Sequence, residues 1–236
     1  MKRAALALIG LLLSATSPSA GERRPVDVAL VLALDVSGSI SDDAWKVQRE
    51  GIASAVGSDQ FAQAVRRGQI GRVAIAVVQW GTSARMVMGW RVVESANEVQ
   101  ALARDMRAMQ RAESGGTCMG TMLKMITAEL VPWDDYASRR IVDVSGDGAS
   151  NCGMDLKEMR SAALKEGITI NGLPIITPVE PKVADWYADN VIGGPGAFTV
   201  VADGNGGFAE AFLRKLTVEI ASNYAGDMPA RMVATY

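Results

Sequence analysis

The chain of 236 residues has no histidine, two cysteines and a formal charge of −2, with a pI near 5.3. Without imidazole, Ser-His-Asp and Cys-His catalysis, histidine acid–base chemistry and histidine-bound zinc or iron are excluded, and two cysteines cannot build an all-cysteine zinc site. The near-neutral, slightly acidic balance offers no basic field, so no nucleic-acid partner is expected.

Lys2 and Arg3 precede an apolar run over residues 4–13 and small residues over 14–20, the pattern of a secretory signal peptide cleaved near Ala20. The apolar core is too short to span a bilayer, and no later stretch reaches about 18 uninterrupted apolar residues. A mature chain without a transmembrane segment, periplasmic or secreted from a bacterium, is therefore expected. Residues 21–236 can bury a substantial core and are read as one domain.

Residues 26–34 (VDVALVLAL) form a continuous apolar run, which predicts a strand buried on both faces. It ends in Asp35-Val36-Ser37-Gly38-Ser39, so a carboxylate and two hydroxyls crowd into the turn at its carboxyl end, the edge where open α/β sheets bind ligands. Ser41 reads as the N-cap of a helix over Asp42–Val56. Its first-turn acids Asp42 and Asp43 are read as helix-dipole partners in preference to metal ligands. A short helix over 59–65 follows, then a second buried strand over 72–80 and an antiparallel partner over Ala84–Val93. Trp80 and Trp90 are read as core, with a ligand rim as the alternative.

A helix over 95–109, with Ser95 as cap, leads to the polar loop Gly115-Gly116-Thr117 and a helix over 119–131 that Pro132 ends. A third strand over 139–145 turns at Gly146-Asp147-Gly148, and Asp143 inside it is read as a structural or edge residue. A helix over 155–166 closes at Gly167. The strand over 168–176 carries Gly172 and Pro174, so irregular pairing is expected near its end, and Asn171 is read as satisfying a neighbouring loop. A helix over Val183–Asn190, a short strand over 197–202 and an amphipathic helix over 207–224 complete the alternation, with Phe208, Phe212, Leu216 and Ile220 facing inward. Such alternation predicts an α/β doubly wound, mostly parallel sheet with helices on both faces.

Asp35, Ser37 and Ser39 in a D-x-S-x-S run, Thr117 on a second loop and Asp147 on a third resemble the metal-ion-dependent adhesion site of von Willebrand factor A domains. That resemblance implies a six-stranded sheet in the order 3-2-1-4-5-6 with one antiparallel edge strand. It also implies a divalent cation, Mg2+ first with Mn2+ and Ca2+ as alternatives, held by Asp35, Ser37, Ser39, Thr117 and Asp147. A replaceable water on that ion would accept a carboxylate from a protein partner, a binding rather than an enzymatic role. Hard oxygen donors suit such an ion independently of the resemblance. Residues 198–204 further resemble a bacterial exported subfamily of unknown function. Cys118 follows the site threonine and Cys152 lies shortly after the site aspartate. In an exported protein with both loops on one cation, these two are expected to form a disulfide. Two other readings stay open: a magnesium-dependent phosphohydrolase with Asp35 as nucleophile, and a metal-free assembly domain. The first would want an acid at position 37, where the chain has serine.

Overall fold

The computed structural model describes residues 24–112, 115–204, 206–221 and 231–233, so the expected signal peptide lies outside the described residues. Apolar runs become the central strands β1 (Val26–Asp35), β2 (Val73–Trp80), β4 (Ala137–Gly146) and β5 (Thr169–Ile176), with β3 (Ala84–Val93) and β6 (Thr199–Asp203) outside them. The order is β3-β2-β1-β4-β5-β6, every pair parallel except β2 with β3, as the resemblance implied. The sheet is one strand wider than expected. A short β7 (Arg231–Val233) runs parallel to β6, pairing Thr199 with Arg231. Three residues are too few to show a strand periodicity, so no pattern in the chain announces it.

Every residue of β1 is buried, and alternate side chains serve two cores. Leu30, Leu32 and Leu34 meet helices α1 (Asp42–Val56), α2 (Asp59–Arg67), α3 (Ala96–Arg107) and α7 (Phe208–Ala221). Ala29, Val31 and Ala33 meet α4 (Met119–Leu130), α5 (Leu156–Lys165) and α6 (Val183–Asn190). Small residues on this second face let the unbranched Met119 and Met122 fill the space beneath α4.

Capping sets the helix starts. The Ser41 hydroxyl accepts from the Ala44 amide at 3.1 Å, and Ser95 and Glu98 close a reciprocal capping box on α3. Asp155 caps α5 by accepting from the Glu158 amide at 2.7 Å. Pro132 sits in a single 3-10 turn (Val131–Trp133) after α4, and the terminal helix is described to Ala221, with 222–224 outside the described residues. Trp80 is fully buried, while half-buried Trp90 packs 4.9 Å from Trp133, so both belong to packing. Pairing of β5 with β6 skips Leu173 and Pro174, the irregularity expected there.

Asn171 does more than satisfy a loop. It accepts from the Phe198 amide at 3.0 Å and donates to Glu219 of α7 at 2.7 Å. Asp143 is a structural residue of an interior strand rather than of an edge: Lys215 Nζ of α7 stands 2.5 Å from its Oδ1. The same ammonium donates to Glu219, so a charged cluster lies inside the core on the α7 side.

Candidate metal centre

The site is assembled where β1, β2 and β4 reach their carboxyl ends. Parallel register sets Asp35 opposite Trp80 and Leu34 opposite Ser145, which brings the loops after β1 and β4 side by side. The first loop folds back on its own acid: the Ser37 amide donates to Asp35 Oδ1 at 2.7 Å. Ser37 and Ser39 hydroxyls lie 3.1 Å apart, and Ser39 donates onward to Asp147 Oδ1 at 2.6 Å. Four of the five sequence-predicted residues are thus joined by one run of hydrogen bonds spanning two loops.

Thr117 comes in through its backbone. Gly38 N donates to Gly115 O at 2.8 Å, which ties the second loop to the first. The Thr117 amide donates to Asn151 Oδ1 at 2.9 Å, and its carbonyl accepts from Asn151 N at 3.0 Å and Ser150 Oγ at 3.1 Å, which ties it to the third. Helix α4 takes Cys118 as its cap residue and has no side-chain cap bond, so the Thr117 hydroxyl is not spent on capping. The disulfide Cys118–Cys152, with Cα atoms 4.6 Å apart, joins the same two loops covalently. Gly116 has to be a glycine here, because a Cβ on it would stand 2.6 Å from the Cys152 sulfur.

Electrostatics single out Asp35. It is fully buried, and its Oδ2 has no hydrogen-bond partner. Burial, reinforced by the nearby Asp147 charge and opposed by the Ser37 bonds, pushes its carboxyl up to about 7. An unpaired buried carboxylate oxygen is costly, and a cation held by Asp35, Asp147 and the three hydroxyls would relieve that cost. The donor set therefore fits a hard divalent ion.

One contributor carries no pattern in the sequence. The Arg111 guanidinium donates to the carbonyls of Val36 (3.3 Å), Ser37 (3.1 Å) and Ile40, and pairs with Asp42 at 2.7 Å. It grips the backbone of the first loop, and its described bonds go to none of the five site side chains. Buried Gln79 of β2 presents it, donating to Gln110 O at 2.9 Å and accepting from Ala112 N at 2.6 Å. Asp42 thereby serves Arg111, while Asp43 pairs with exposed Lys46 at 2.9 Å. Arg111→Ala is expected to lower stability by about 1.5–3 kcal/mol, the range for hydrogen bonds from a charged donor. Lysine at this position should not restore it, because a point charge cannot fork to several acceptors. Urea denaturation of both variants checks this, and a lysine variant as stable as the native chain would remove Arg111 from this role.

The strand order and the helices on both faces make this a von Willebrand factor A-like fold. Residues 25–224 match the family described as "Protein of unknown function (DUF1194)", and the chain belongs to that family. Among solved structures, the fold is similar to proximal thread matrix protein 1 from the mussel byssus, a structure described as having a zinc-occupied MIDAS motif. That match has 16% identity and a TM-score of 0.60, covering 84% of this chain and 49% of that one. The pilus adhesin SpaC from Lactobacillus rhamnosus GG, in its open conformation, is similar at 17% identity and a TM-score of 0.58, covering 85% of this chain and 30% of that one. BatB from Bacteroides thetaiotaomicron is similar at 14% identity and a TM-score of 0.54, over 82% of this chain and 98% of that one. This chain spans about half the length of the byssus protein it matches. A comparison with curated protein sequences finds no match.

Proposed function

We propose that this protein is an exported binding module, one domain from about residue 21 onward, that uses a divalent cation to hold an acidic group of a protein partner. Asp35, Ser37, Ser39, Thr117 and Asp147 hold the ion, and Mg2+ is the first choice because every donor is a hard oxygen. The observation that carries the reading is the Ser37–Ser39–Asp147 chain of hydrogen bonds closing beside the unpaired buried Oδ2 of Asp35. With two carboxylates and three neutral hydroxyls, the site balances a divalent charge without enclosing the ion. The bound cation supplies an electrophilic position that an outside carboxylate can take. The mussel protein's zinc-occupied motif and the pilus adhesin's name support a metal-dependent adhesive role.

A cleft of about 660 Å³ adjoins the third loop, bordered by Ser150, Cys152, Met154, Arg160 and Trp186, and gives a partner surface beyond the ion itself. Export to the periplasm or beyond follows from the signal-like leader and agrees with the disulfide. Among the described residues no helix is long and apolar enough to cross a membrane.

The test is a magnesium-dependent pull-down from a bacterial envelope extract with the native chain and Asp147→Ala. A partner retained with Mg2+, released by chelator and lost in the variant is the expected result. Retention that ignores chelator would end the metal reading and leave the assembly-domain alternative. Turnover of phosphate esters that Asp35→Ala abolishes would replace binding with hydrolysis.

A further inference from the structure

Beneath the candidate metal centre lies a second unpaired group that the five-residue reading does not use. Tyr187 of α6 is fully buried, and its hydroxyl has no hydrogen-bond partner. Gly146, the residue before Asp147, locates it: the point where a Cβ would stand is 2.7 Å from Tyr187 Oη and 2.7 Å from Asp35 Oδ2. Two orphaned polar atoms therefore flank the same bare stretch of backbone, one a donor and the other an acceptor. Any side chain at position 146 would collide with both. Burying a hydroxyl without a partner is unfavourable, and phenylalanine would fill the same volume without that cost. Burial, together with the charges of Asp35, Asp147 and Asp143, pushes the phenol further up, so it is a donor at neutral pH.

Resting on the metal-site reading above, we propose that Tyr187 is a positioning residue for the ion. With the ion in place its hydroxyl would close onto Asp35 Oδ2, a bond that neither atom makes in this structure, and fix the rotation of that carboxylate, whose other oxygen is already held by the Ser37 amide. Ligating carboxylates are commonly held by such outer partners, whose loss weakens metal binding by about 10–100-fold. The tyrosine would do this from a separate helix, so α6 takes part in the site without supplying a ligand.

The test is calorimetric titration with Mn2+, paired with urea unfolding in chelator, for the native chain, Tyr187→Phe and Tyr187→Leu. The expected result is a Kd about tenfold higher for Tyr187→Phe, with metal-free unfolding unchanged or shifted to higher urea. Tyr187→Leu, which loses ring packing as well, should unfold at lower urea yet show a similar loss of affinity. Native affinity in Tyr187→Phe, with weakening confined to Tyr187→Leu, would overturn the proposal and leave the metal site standing. If the native chain binds no Mn2+, the metal-site reading itself fails, and this inference with it.

Discussion

Replacing Lys215 with methionine is expected to destabilise the protein by about 3–5 kcal/mol near pH 7.5, and by much less near pH 5. Lys215 is fully buried, and its ammonium stands between Asp143, at 2.5 Å, and Glu219, with the Phe198 ring centroid 5.5 Å away. Two buried acids share one buried cation. Burial raises Asp143 most, the Glu219 charge adds to it, Lys215 opposes it, and the carboxyl ends at about 7. The remaining neighbours are Asn171, which is neutral, Tyr187, and Arg139, which interacts with Glu219 and donates to Ile220 O at 3.2 Å.

The sign follows from proton binding. An ordinary Asp in the unfolded chain gives up its proton near 3.8, while folded Asp143 keeps it to about 7. Between those values the folded state binds more protons, so this group's contribution to stability falls as pH rises through the window. Removing Lys215 leaves both acids without their cation, which steepens that fall. Acid relieves it by protonating them in place. Urea denaturation of the native chain and Lys215→Met at pH 5 and 7.5 measures the difference. A cost equal at the two pH values would show that Lys215 acts through packing alone. The double variant Lys215→Met/Asp143→Asn should lose less than the two single losses combined, because the neighbours are coupled.

That cluster also shows where the sequence stops being readable. The inward stripe Phe208, Phe212, Leu216 and Ile220 was legible because apolar residues recur at helical spacing. Lys215 and Glu219 each sit one position before a member of that stripe, and charged residues are assigned to solvent by default. Only the approach of β4 and β5 reveals that they point inward. The same division runs through the site. Asp35, Ser37, Ser39, Thr117 and Asp147 could be picked out because each stands where a strand or helix pattern breaks into polar and glycine residues. Arg111 and Tyr187 could not. One lies in an ordinary polar segment after α3, the other is a single aromatic on an inward helix face, and both matter through distances that chain order does not carry. Strand order and the antiparallel edge followed from alternation and resemblance, whereas β7 was invisible at three residues.

Replacing both cysteines of the 118–152 pair with serine is expected to lower stability by about 3–4 kcal/mol, because the bridge closes a loop with a sequence separation of 34. The loss should extend to the metal centre. The disulfide joins the residue after Thr117 to the loop that carries Asp147, and the other links here are hydrogen bonds of Thr117 with Asn151 and Ser150 and of the Met119 amide with Ser150 Oγ at 3.3 Å. Each such bond contributes about 1 kcal/mol net and can open singly, whereas the covalent bridge holds the two loops together throughout. The oxygens of Thr117 and Asp147 should then be less well preorganised, and Mn2+ affinity should fall along with the urea midpoint. Reduction of the native chain should reproduce both changes, since Cys152 is partly exposed at the wall of the cleft beside the site. Mass analysis of the exported protein without reductant should find no free thiol. A double-serine variant that unfolds earlier but binds Mn2+ as tightly as the native chain would separate the two effects. In that case the hydrogen bonds alone align the loops, and the disulfide acts only on the unfolded chain.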